Sequence, residues 1–174
     1  NLLSDKLARG FEKLGIGRNE SLLDVGCGTG NLTAALLEWL GADARIIAVD
    51  ISAGMIAEAQ KKIHDPRVQW HVADVVELPI DDASLDRILC CSVWPHFDDP
   101  HTAVKELQRV LRPGGRLHVW HLSPRQTINE IHASAGPAVQ NDVLCPAPET
   151  ARLLETFDFT VQEIIDNDAQ YLVS

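Results

Sequence analysis

The stretch that decides the fold is Asp24-Val25-Gly26-Cys27-Gly28-Thr29-Gly30. Residues 21–25 form a short apolar run that leads into it, and apolar residues recur at helical spacing from Leu32 to Leu40 after it. The glycines allow backbone conformations that are closed to other residues. We therefore expect a strand, a glycine turn and a helix in this order.

The same alternation continues along the chain. After the first unit, strands are predicted at 45–49, 68–72, 85–92 and 116–121, and helices at 53–64 and 101–111. Two further strands, at 159–165 and 170–173, are joined by the polar turn 166–168, which is too short for a crossover helix and requires an antiparallel hairpin. The pattern predicts a doubly wound α/β sheet with a mixed edge, whose ligands bind at the carboxyl ends of the strands.

Two segments flank this alternating region. An amphipathic helix is predicted within residues 1–17, and residues 123–156, between the fifth strand and the hairpin, are predicted to hold two helices, at 126–134 and 147–156. We expect residues 1–174 to form a single domain, with 123–156 on the substrate side. The turn Arg112-Pro113-Gly114-Gly115 is interpreted as the entry to the fifth strand.

Charge limits the classes of partner. The 174 residues include 15 Lys and Arg against 25 Asp and Glu, for a net charge of −10. This surplus repels phosphate backbones and anionic membrane surfaces, and no long basic run opposes it. We therefore expect neither nucleic acid nor a membrane as a partner. The sequence does not constrain the oligomeric state.

The four cysteines are Cys27, Cys90, Cys91 and Cys145. Two are adjacent, unlike the spacing of disulfide frameworks, so we expect a reducing, cytoplasmic setting. Residues 1–10 are amphipathic rather than a signal sequence, and no apolar run approaches the roughly 20 residues that span a bilayer. Because the first residue is not Met, we expect the natural chain to start further upstream.

The charge of Asp24 discriminates between ligands of the glycine turn. A carboxylate two positions before the first glycine repels the pyrophosphate of NAD or FAD, whereas it attracts the sulfonium and ammonium groups of S-adenosylmethionine. Asn31 also stands where the dinucleotide pattern needs a small residue. The sequence therefore favours S-adenosylmethionine over a nicotinamide cofactor. A loop-capping acid is the alternative role for Asp24.

The ends of the next two strands complete a nucleoside site. Asp50 lies about 20 residues beyond the loop, where a carboxylate can accept hydrogen bonds from both ribose hydroxyls. Asp74 can accept from the adenine amine, and the backbone N–H of Val75 can donate to the ring. Ile51 and Met55 would form an apolar slot around the base. Strand-end caps are the alternative for the two acids, and ordinary core packing is the alternative for Met55.

Four motifs within residues 21–119 resemble those of class I S-adenosylmethionine-dependent methyltransferases of the small-molecule, methyltransferase-11-like type. The motifs are Asp24–Gly30, Val49-Asp50-Ile51-Ser52 with Met55, Ala73-Asp74 before Leu78-Pro79, and Val110-Leu111-Arg112-Pro113-Gly114-Gly115. The resemblance implies a seven-stranded Rossmann-like sheet with strand seven inserted antiparallel. It also implies S-adenosylmethionine as cofactor and S-adenosylhomocysteine as product.

The candidate cofactor set also includes residues of the loop and of strand four. Gly26, Gly28 and Gly30 of the glycine turn are candidate cofactor-binding residues, and so are Cys27 and Cys91. For Cys91, as for Cys90, burial in an apolar strand is the alternative. A thiolate site for arsenite, formed with Cys145, is the less favoured interpretation.

The acceptor is expected beyond strand four. Methyl transfer is an in-line displacement, so the protein mainly aligns the acceptor and excludes water. His96 and His121 are candidate catalytic residues, because either could deprotonate a hydroxyl or an activated carbon. Their alternative is a histidine satisfied by local hydrogen bonds. The residues after strand four are not the Asn/Asp-Pro-Pro-Tyr/Phe sequence of enzymes that methylate amino groups of nucleic-acid bases or glutamine.

Other residues are candidates for binding the acceptor. Trp94 and Phe97 either line an apolar pocket or cover the sheet edge. Arg125, Asn129 and His132 fall at helical spacing, and this polar stripe either binds an acidic or hydroxylated acceptor or is a solvated helix face.

The sequence predicts an enzyme that transfers the methyl group of S-adenosylmethionine to oxygen, carbon or nitrogen of a small molecule. The alternatives are a cofactor-binding module without catalysis and, less favoured, an NAD(P)-dependent oxidoreductase. No metal is predicted, because the acids and histidines of residues 96–101 match no standard ligand spacing.

Overall fold

Seven strands form one mixed sheet in the computed structural model, which describes residues 2–174 and their side chains from Ser4 onward. The strands are β1 (Ser21–Val25), β2 (Arg45–Asp50), β3 (Val68–Val72), β4 (Leu85–Cys91), β5 (Leu111–His121), β6 (Ile164–Asp166) and β7 (Tyr171–Val173). The helices are α1 (Leu2–Lys13), α2 (Asn31–Trp39), α3 (Ala53–Lys62), α4 (Pro100–Val110), α5 (Arg125–Ser134) and α6 (Ala147–Glu155). Residue 1 of the predicted N-terminal segment lies outside the described residues.

The strand order is β3-β2-β1-β4-β5-β7-β6. Strands β1 to β5 pair in parallel, and β7 lies antiparallel between β5 and β6. The predicted α/β sheet with an antiparallel closing hairpin is thus confirmed. Strands β2 and β3 are added on one side of β1, and β4 and β5 are added on the other side. The order of the strands therefore reverses between β1 and β4, and the crevice that receives ligands in such sheets opens at the carboxyl end of β1.

Two apolar cores cover the two faces of the sheet. Leu22 and Leu23, which are adjacent in β1, are both fully buried but belong to different cores, because successive strand residues point to opposite faces. One core includes residues of α4 and α6, and the other includes residues of α1 and α2. This double burial explains why the parallel strands are continuous apolar runs in the sequence.

The closing hairpin is shorter than the sequence predicts. The predicted strand 159–165 is wrong over most of its length, since only Ile164–Asp166 forms β6. The N–H groups of Gln162 and Glu163 both bond to the carbonyl of Ser174, and this doubled pairing interrupts the ladder. The turn begins at Asn167 rather than at Asp166. The side-chain oxygen of Asn167 accepts hydrogen bonds from the N–H groups of Ala169 and Gln170.

A second correction concerns strand β5. The expected turn at 112–115 is part of the strand, which begins at Leu111 and pairs there with Leu85. The register then shifts before Arg87 pairs with Arg116, so the glycines form an irregularity within β5. In residues 2–174, no helix is long and apolar enough to cross a membrane.

A buried polar network joins the strands at the amino-terminal end of β4. Arg87 is 4% exposed, and its guanidinium donates to Glu20 and to the carbonyls of Leu14 and Gly15. It also donates to Nε2 of His118 over 2.7 Å, so Nδ1 of His118 carries the proton. Burial and the charge of Arg87 lower the pKa of His118 to about 3.

Candidate active site

The glycine turn after β1 presents bare backbone to the crevice. Gly28 has φ +53, in the left-handed region, and nothing lies within 4 Å of the position that a Cβ would occupy. At Gly26, which has φ +65, a Cβ would come within 2.2 Å of Cγ2 of Val93. Gly26 therefore permits close packing beneath the loop, whereas Gly28 leaves open space above it.

Asp24 lies beneath this turn rather than on its surface. Its side chain is 1% exposed, and the Thr33 hydroxyl donates to Oδ2 over 2.6 Å. Burial raises the pKa of Asp24 to about 7, and the nearby charge of Asp50 adds to the shift, although the bond from Thr33 opposes it. A cation in the crevice would stabilise the ionised form of this carboxylate through the local field.

Asp50 shapes the turn from the end of β2. Oδ2 accepts from the N–H of Gly28, and Oδ1 accepts from the N–H of Ser52, each over 2.8 Å. Each carboxylate oxygen can accept a second hydrogen bond, so both remain able to receive a hydroxyl group. Asp50 is thus a loop-organising residue as well as the expected acceptor for the ribose.

Apolar side chains at the carboxyl ends of β2 and β3 are left exposed. Ile51 is 72% exposed, Met55 45% and Val72 53%. The sequence analysis missed Val72, because an apolar residue that ends a buried strand has no distinguishing signal. Exposed large apolar residues beside the polar glycine turn are typical of a binding site for a flat apolar ring.

Asp74 and Val75 lie on the turn after β3. Asp74 is exposed and accepts a bond from the N–H of Val76 at Oδ1 over 3.2 Å. Val75 is buried, and its N–H has no partner among residues 2–174. The free N–H of Val75 can donate to the adenine ring, and the free carboxylate oxygen of Asp74 beside it can accept from the adenine amine. The residues present therefore fit the ribose and the adenine of S-adenosylmethionine.

Cys27, Cys90 and Cys91 are thiols at neutral pH. Burial raises the pKa of Cys91 to about 12 and raises that of Cys27 and Cys90 further. Cys145 is exposed on the loop before α6. Because thiolates rather than thiols bind metalloids, these high pKa values argue against an arsenite site. Within residues 2–174, no three His, Cys, Asp or Glu side chains are grouped to hold a metal ion.

A cavity of about 210 Å³ opens at the carboxyl ends of β4 and β5. It is lined by Ser92, His121, Leu122, Ser123, Ile128, Ile131 and His132. The backbone of Ser92 is in the left-handed region, with φ +60, which is uncommon for a residue other than glycine. Such backbone strain is concentrated at functional sites, and it marks the end of β4 as a candidate.

His121 is the buried polar residue of this cavity. It ends β5 and is 2% exposed, and Nε2 has no hydrogen-bond partner in the described part of the chain. Burial, together with the nearby His96 and His132, lowers the pKa of His121 to about 4. The ring is therefore neutral at pH 7, with one nitrogen able to donate and the other able to accept.

His96 lies beside His121 on the neighbouring strand connection. It ends a single 3₁₀ turn, Trp94–His96, and its Nδ1 is 2.6 Å from Oδ2 of Asp142. Its ring centroid is 4.8 Å from that of His132, whose Nδ1 bonds to the carbonyl of Asp142 over 2.7 Å. The sequence analysis did not single out Asp142, because it lies 46 residues from its partner in an irregular loop.

The candidate acceptor residues Trp94 and Phe97 lie elsewhere. Trp94 is 6% exposed in the core, and its ring packs 5.3 Å from that of Phe97. Both line a groove against α6 and not the cavity beside His121. The 3₁₀ turn after β4 places the indole of Trp94 in the core beneath α6.

The polar stripe of α5 is partly exposed, and its side chains make hydrogen bonds within the protein. Arg125 donates from Nε to Oδ2 of Asp166 over 2.8 Å, and Asn129 exchanges two hydrogen bonds with the backbone of Leu144. Together with His132, these side chains attach α5 to the loop before α6 and to β6. Arg125 was expected either to bind the acceptor or to lie on a solvated helix face, and in the structure its guanidinium is paired with Asp166 while the side chain stays 34% exposed.

Comparison with known proteins identifies the family. A family model described as a methyltransferase domain matches residues 23–119, more than half of the chain. The chain belongs to the class I S-adenosylmethionine-dependent methyltransferases. The match covers the glycine turn, the ends of β2 and β3, and most of β5, which are the elements around the crevice.

This methyltransferase is similar to curated relatives and to solved structures. It is 32% identical over 125 residues to the methyltransferase GfsG of Streptomyces halstedii, covering 70% of this chain and 44% of that one. It is 42% identical over 98 residues to the malonyl-[acyl-carrier protein] O-methyltransferase of Hahella chejuensis, covering 56% and 35%. The chain thus spans less than half the length of these relatives.

A solved structure of similar fold is the S-adenosylmethionine-dependent methyltransferase of Aquifex aeolicus. The TM-score is 0.80 at 20% identity, covering 96% of this chain and 87% of that chain. At this identity the likeness concerns the fold. It agrees with the strand order found here, including the antiparallel strand between β5 and β6.

Proposed function

We propose that this methyltransferase binds S-adenosylmethionine at the carboxyl ends of β1 to β3 and transfers the methyl group to a small-molecule acceptor. The observation that carries the proposal is the open backbone of Gly28, which Asp50 holds in place next to the buried acid Asp24. The bound cofactor would supply a methyl group already activated as a sulfonium.

Different residues of the crevice contact different parts of the cofactor. Asp50 accepts the ribose hydroxyls, and the Gly26–Gly30 backbone borders the methionine end. Ile51 and Met55 enclose the base, which Asp74 and the N–H of Val75 recognise at its edge. Cys27, whose side chain is buried under the loop, supports the backbone rather than contacting the ligand through its thiol. Cys91 has the same supporting role at the end of β4.

The acceptor binds in the cavity between β4, β5 and α5, with residues 123–156 forming its outer side. His121 lines this cavity, and the second candidate catalytic residue is His96, whose ring centroid is 4.8 Å from that of the lining residue His132. The protein aligns the acceptor atom with the methyl carbon and excludes water, and these two requirements are most of what an in-line displacement needs. The cavity of about 210 Å³ is open to solvent on one side and is suited to a small acceptor group.

Calorimetry followed by turnover tests this proposal. We expect the chain to bind S-adenosylmethionine and S-adenosylhomocysteine more tightly than NADH, and to release S-adenosylhomocysteine when it is given acceptors. Tighter binding of NADH would favour an oxidoreductase. Binding of S-adenosylmethionine without release of product from any acceptor would favour a regulatory module. For His96→Ala we expect lost turnover with cofactor binding retained.

A further inference from the structure

Thr33 donates a hydrogen bond to Asp24 in the interior, where water does not compete for it. Thr33 lies in the first turn of α2 and is fully buried, and its hydroxyl donates to Oδ2 of Asp24 over 2.6 Å. Because Thr33 is the third residue of α2, its backbone N–H has no partner within the helix, and this group acts on Asp24 in the same direction as the hydroxyl. The end of β1 and the start of α2 are therefore joined through one carboxyl group.

The bond from Thr33 favours the charged form of this buried acid. A carboxylate can only accept hydrogen bonds, so a bond that is donated to it stabilises the charged form. Burial raises the pKa of Asp24 to about 7, and the hydroxyl and the backbone of Thr33 oppose this rise. Asp24 is therefore held near the midpoint of its titration at neutral pH, where a small change in its surroundings has a large effect on its charge.

The other ionisable groups that interact with Asp24 do not stabilise its charge. Asp50, at the end of β2, raises the pKa of Asp24 further through its own negative charge. Three buried thiols complete the set, namely Cys27, Cys90 and Cys91. Burial raises the pKa of these thiols, so they are neutral at pH 7. Within the described residues, the groups that oppose the effect of burial on Asp24 therefore belong to Thr33.

We propose that Thr33 is a positioning residue for the cofactor, which keeps Asp24 charged so that the crevice prefers nucleosides with an ammonium or sulfonium group over uncharged ones. Thr33 acts through the carboxylate and does not contact the ligand, since its side chain is fully buried. This inference rests on the proposed function, because it requires the cationic groups of the cofactor to lie at the glycine turn, within the field of Asp24.

The alternative role for Thr33 is to attach α2 to β1 without any effect on the ligand. A purely structural bond would support the glycine turn equally for every nucleoside and at every pH. A bond that maintains a charge matters only for cationic ligands, and it matters most below the pKa of Asp24, where the acid is otherwise protonated. The two roles therefore differ in both the ligand dependence and the pH dependence of binding.

The first test compares the binding of three nucleosides to the full chain by calorimetry. The probes are S-adenosylmethionine, S-adenosylhomocysteine and 5′-methylthioadenosine, which has neither a sulfonium nor an ammonium group. Thr33→Val keeps the shape of the side chain and removes the donor. If the pKa of Asp24 is higher by about one in this variant, the affinity for S-adenosylmethionine should fall roughly five-fold at pH 7, and that for 5′-methylthioadenosine should change less than about two-fold.

The second test follows the affinity of the original chain divided by that of Thr33→Val from pH 6 to pH 8.5. The titration of the ligand itself cancels in this ratio. For S-adenosylmethionine we expect a ratio of roughly ten at pH 6 that falls to less than about two at pH 8.5, where Asp24 is charged in both proteins. A ratio that is the same at every pH, or equal losses for all three nucleosides, shows a structural role and overturns the inference.

Two further variants serve as controls. Thr33→Ser keeps a hydroxyl at this position, so it should restore the ligand preference and the pH profile of the original chain. Thr150→Val is the matched control, because Thr150 is also a buried threonine but lies in α6, where its hydroxyl accepts from that of Tyr171 over 2.7 Å. We expect Thr150→Val to lower the free energy of unfolding in urea without changing the preference among the three nucleosides. A changed preference would attribute the effect of Thr33→Val to lost stability and overturn the inference.

A second pair of variants covers the case in which Thr33→Val does not fold. Thr33→Ala and Thr33→Ser differ only in the hydroxyl oxygen, so equal affinities of these two for S-adenosylmethionine at pH 6 overturn the inference. If the original chain binds neither S-adenosylmethionine nor S-adenosylhomocysteine, the proposed function fails as well. Binding by the original chain without the pH-dependent ratio overturns this inference alone.

Discussion

Oδ2 of Asp50 accepts a hydrogen bond from the backbone N–H of Gly28 over 2.8 Å. The acid that ends β2 therefore organises the glycine turn that ends β1, and the two halves of the proposed cofactor site depend on each other. A carboxylate with this double role should be more sensitive to substitution than a residue that only contacts the ligand.

Replacing Asp50 tests this coupling. We expect Asp50→Ala to weaken S-adenosylmethionine binding by roughly 1.5–3 kcal/mol, because the ribose loses its acceptor and the turn loses its support. Calorimetry measures the affinity directly. Asp43→Ala is the control, since Asp43 is exposed on the loop before β2 and makes no hydrogen bond to the described residues. Unchanged affinity in Asp50→Ala would remove the assignment.

Two glycines form a matched pair for the cradle. Gly28 and Gly15 have φ of +53 and +63, and neither has an atom within 4 Å of the position of a Cβ. A Cβ at either position therefore meets backbone strain alone, on the order of 1–2 kcal/mol. We expect Gly28→Ala and Gly15→Ala to lower the free energy of unfolding in urea similarly, but only Gly28→Ala to weaken cofactor binding.

If Gly15→Ala weakens S-adenosylmethionine binding as much as Gly28→Ala does, the effect comes from lost stability and not from the cradle. Gly15 is suitable for this comparison because it follows α1, in the segment that leads to the start of β1, whereas Gly28 lies beyond the carboxyl end of that strand.

The pKa of Asp24 links cofactor binding to pH. In the free protein burial raises it to about 7, so a large share of the carboxyl groups is protonated near neutral pH. A bound sulfonium and ammonium lower this pKa, because a nearby cation favours the charged carboxylate. We therefore expect binding to release protons near pH 7 and the affinity to rise as the pH increases from about 6 to 8.

Calorimetry in two buffers of different ionisation enthalpy measures this proton release. The ammonium group of the ligand also titrates, so the comparison is with Asp24→Asn, in which the contribution of the protein is absent. We expect the variant to release fewer protons than the original chain. Equal release by both proteins would show that Asp24 does not sense the ligand.

His118 should determine part of the acid sensitivity of the fold. Its folded pKa of about 3 is lower than its unfolded value, so the unfolded state binds the extra proton first. Stability is therefore lost as the pH falls from about 6.5 to about 3, at up to about 1.4 kcal/mol per pH unit. We expect His118→Gln, which can still accept from Arg87, to flatten this dependence.

Urea unfolding at several pH values measures the slope. His121, with a pKa of about 4, contributes in the same direction, whereas the raised pKa of Asp24 stabilises the fold as the pH falls from 7 towards 3.8. The comparison must therefore be between His118→Gln and the original chain, where these terms cancel. An identical slope in both would contradict the assignment.

The fold and the glycine turn could be predicted because their signals are local. The glycine turn requires glycine at particular φ values, and a buried parallel strand requires a continuous apolar run, so Gly28 and β1 stand out in a single sequence. The hairpin was predicted with the right direction but the wrong length, because the doubled bonding of Gln162 and Glu163 to Ser174 depends on pairing with β7.

The contacts of the candidate acceptor residues could not be predicted, because they join residues that are distant in the chain. His96 was singled out, but its partner Asp142 was not, and the ion pair of Arg125 with Asp166 was not among the expectations. Side chains of the same type form solvated faces or internal attachments depending on what packs opposite them. Helical spacing alone does not contain that information.

The sequence by itself determined the order of strands and helices, the open glycine turn and the sign of the charge around the crevice, since these depend on backbone preference and residue type. Only the tertiary structure decided that Asp142 joins His96 to His132, and that His121 lies buried with an unpartnered nitrogen. The physical reason is that hydrogen-bond geometry and desolvation arise from packing between segments, which neighbouring residues in the chain do not specify.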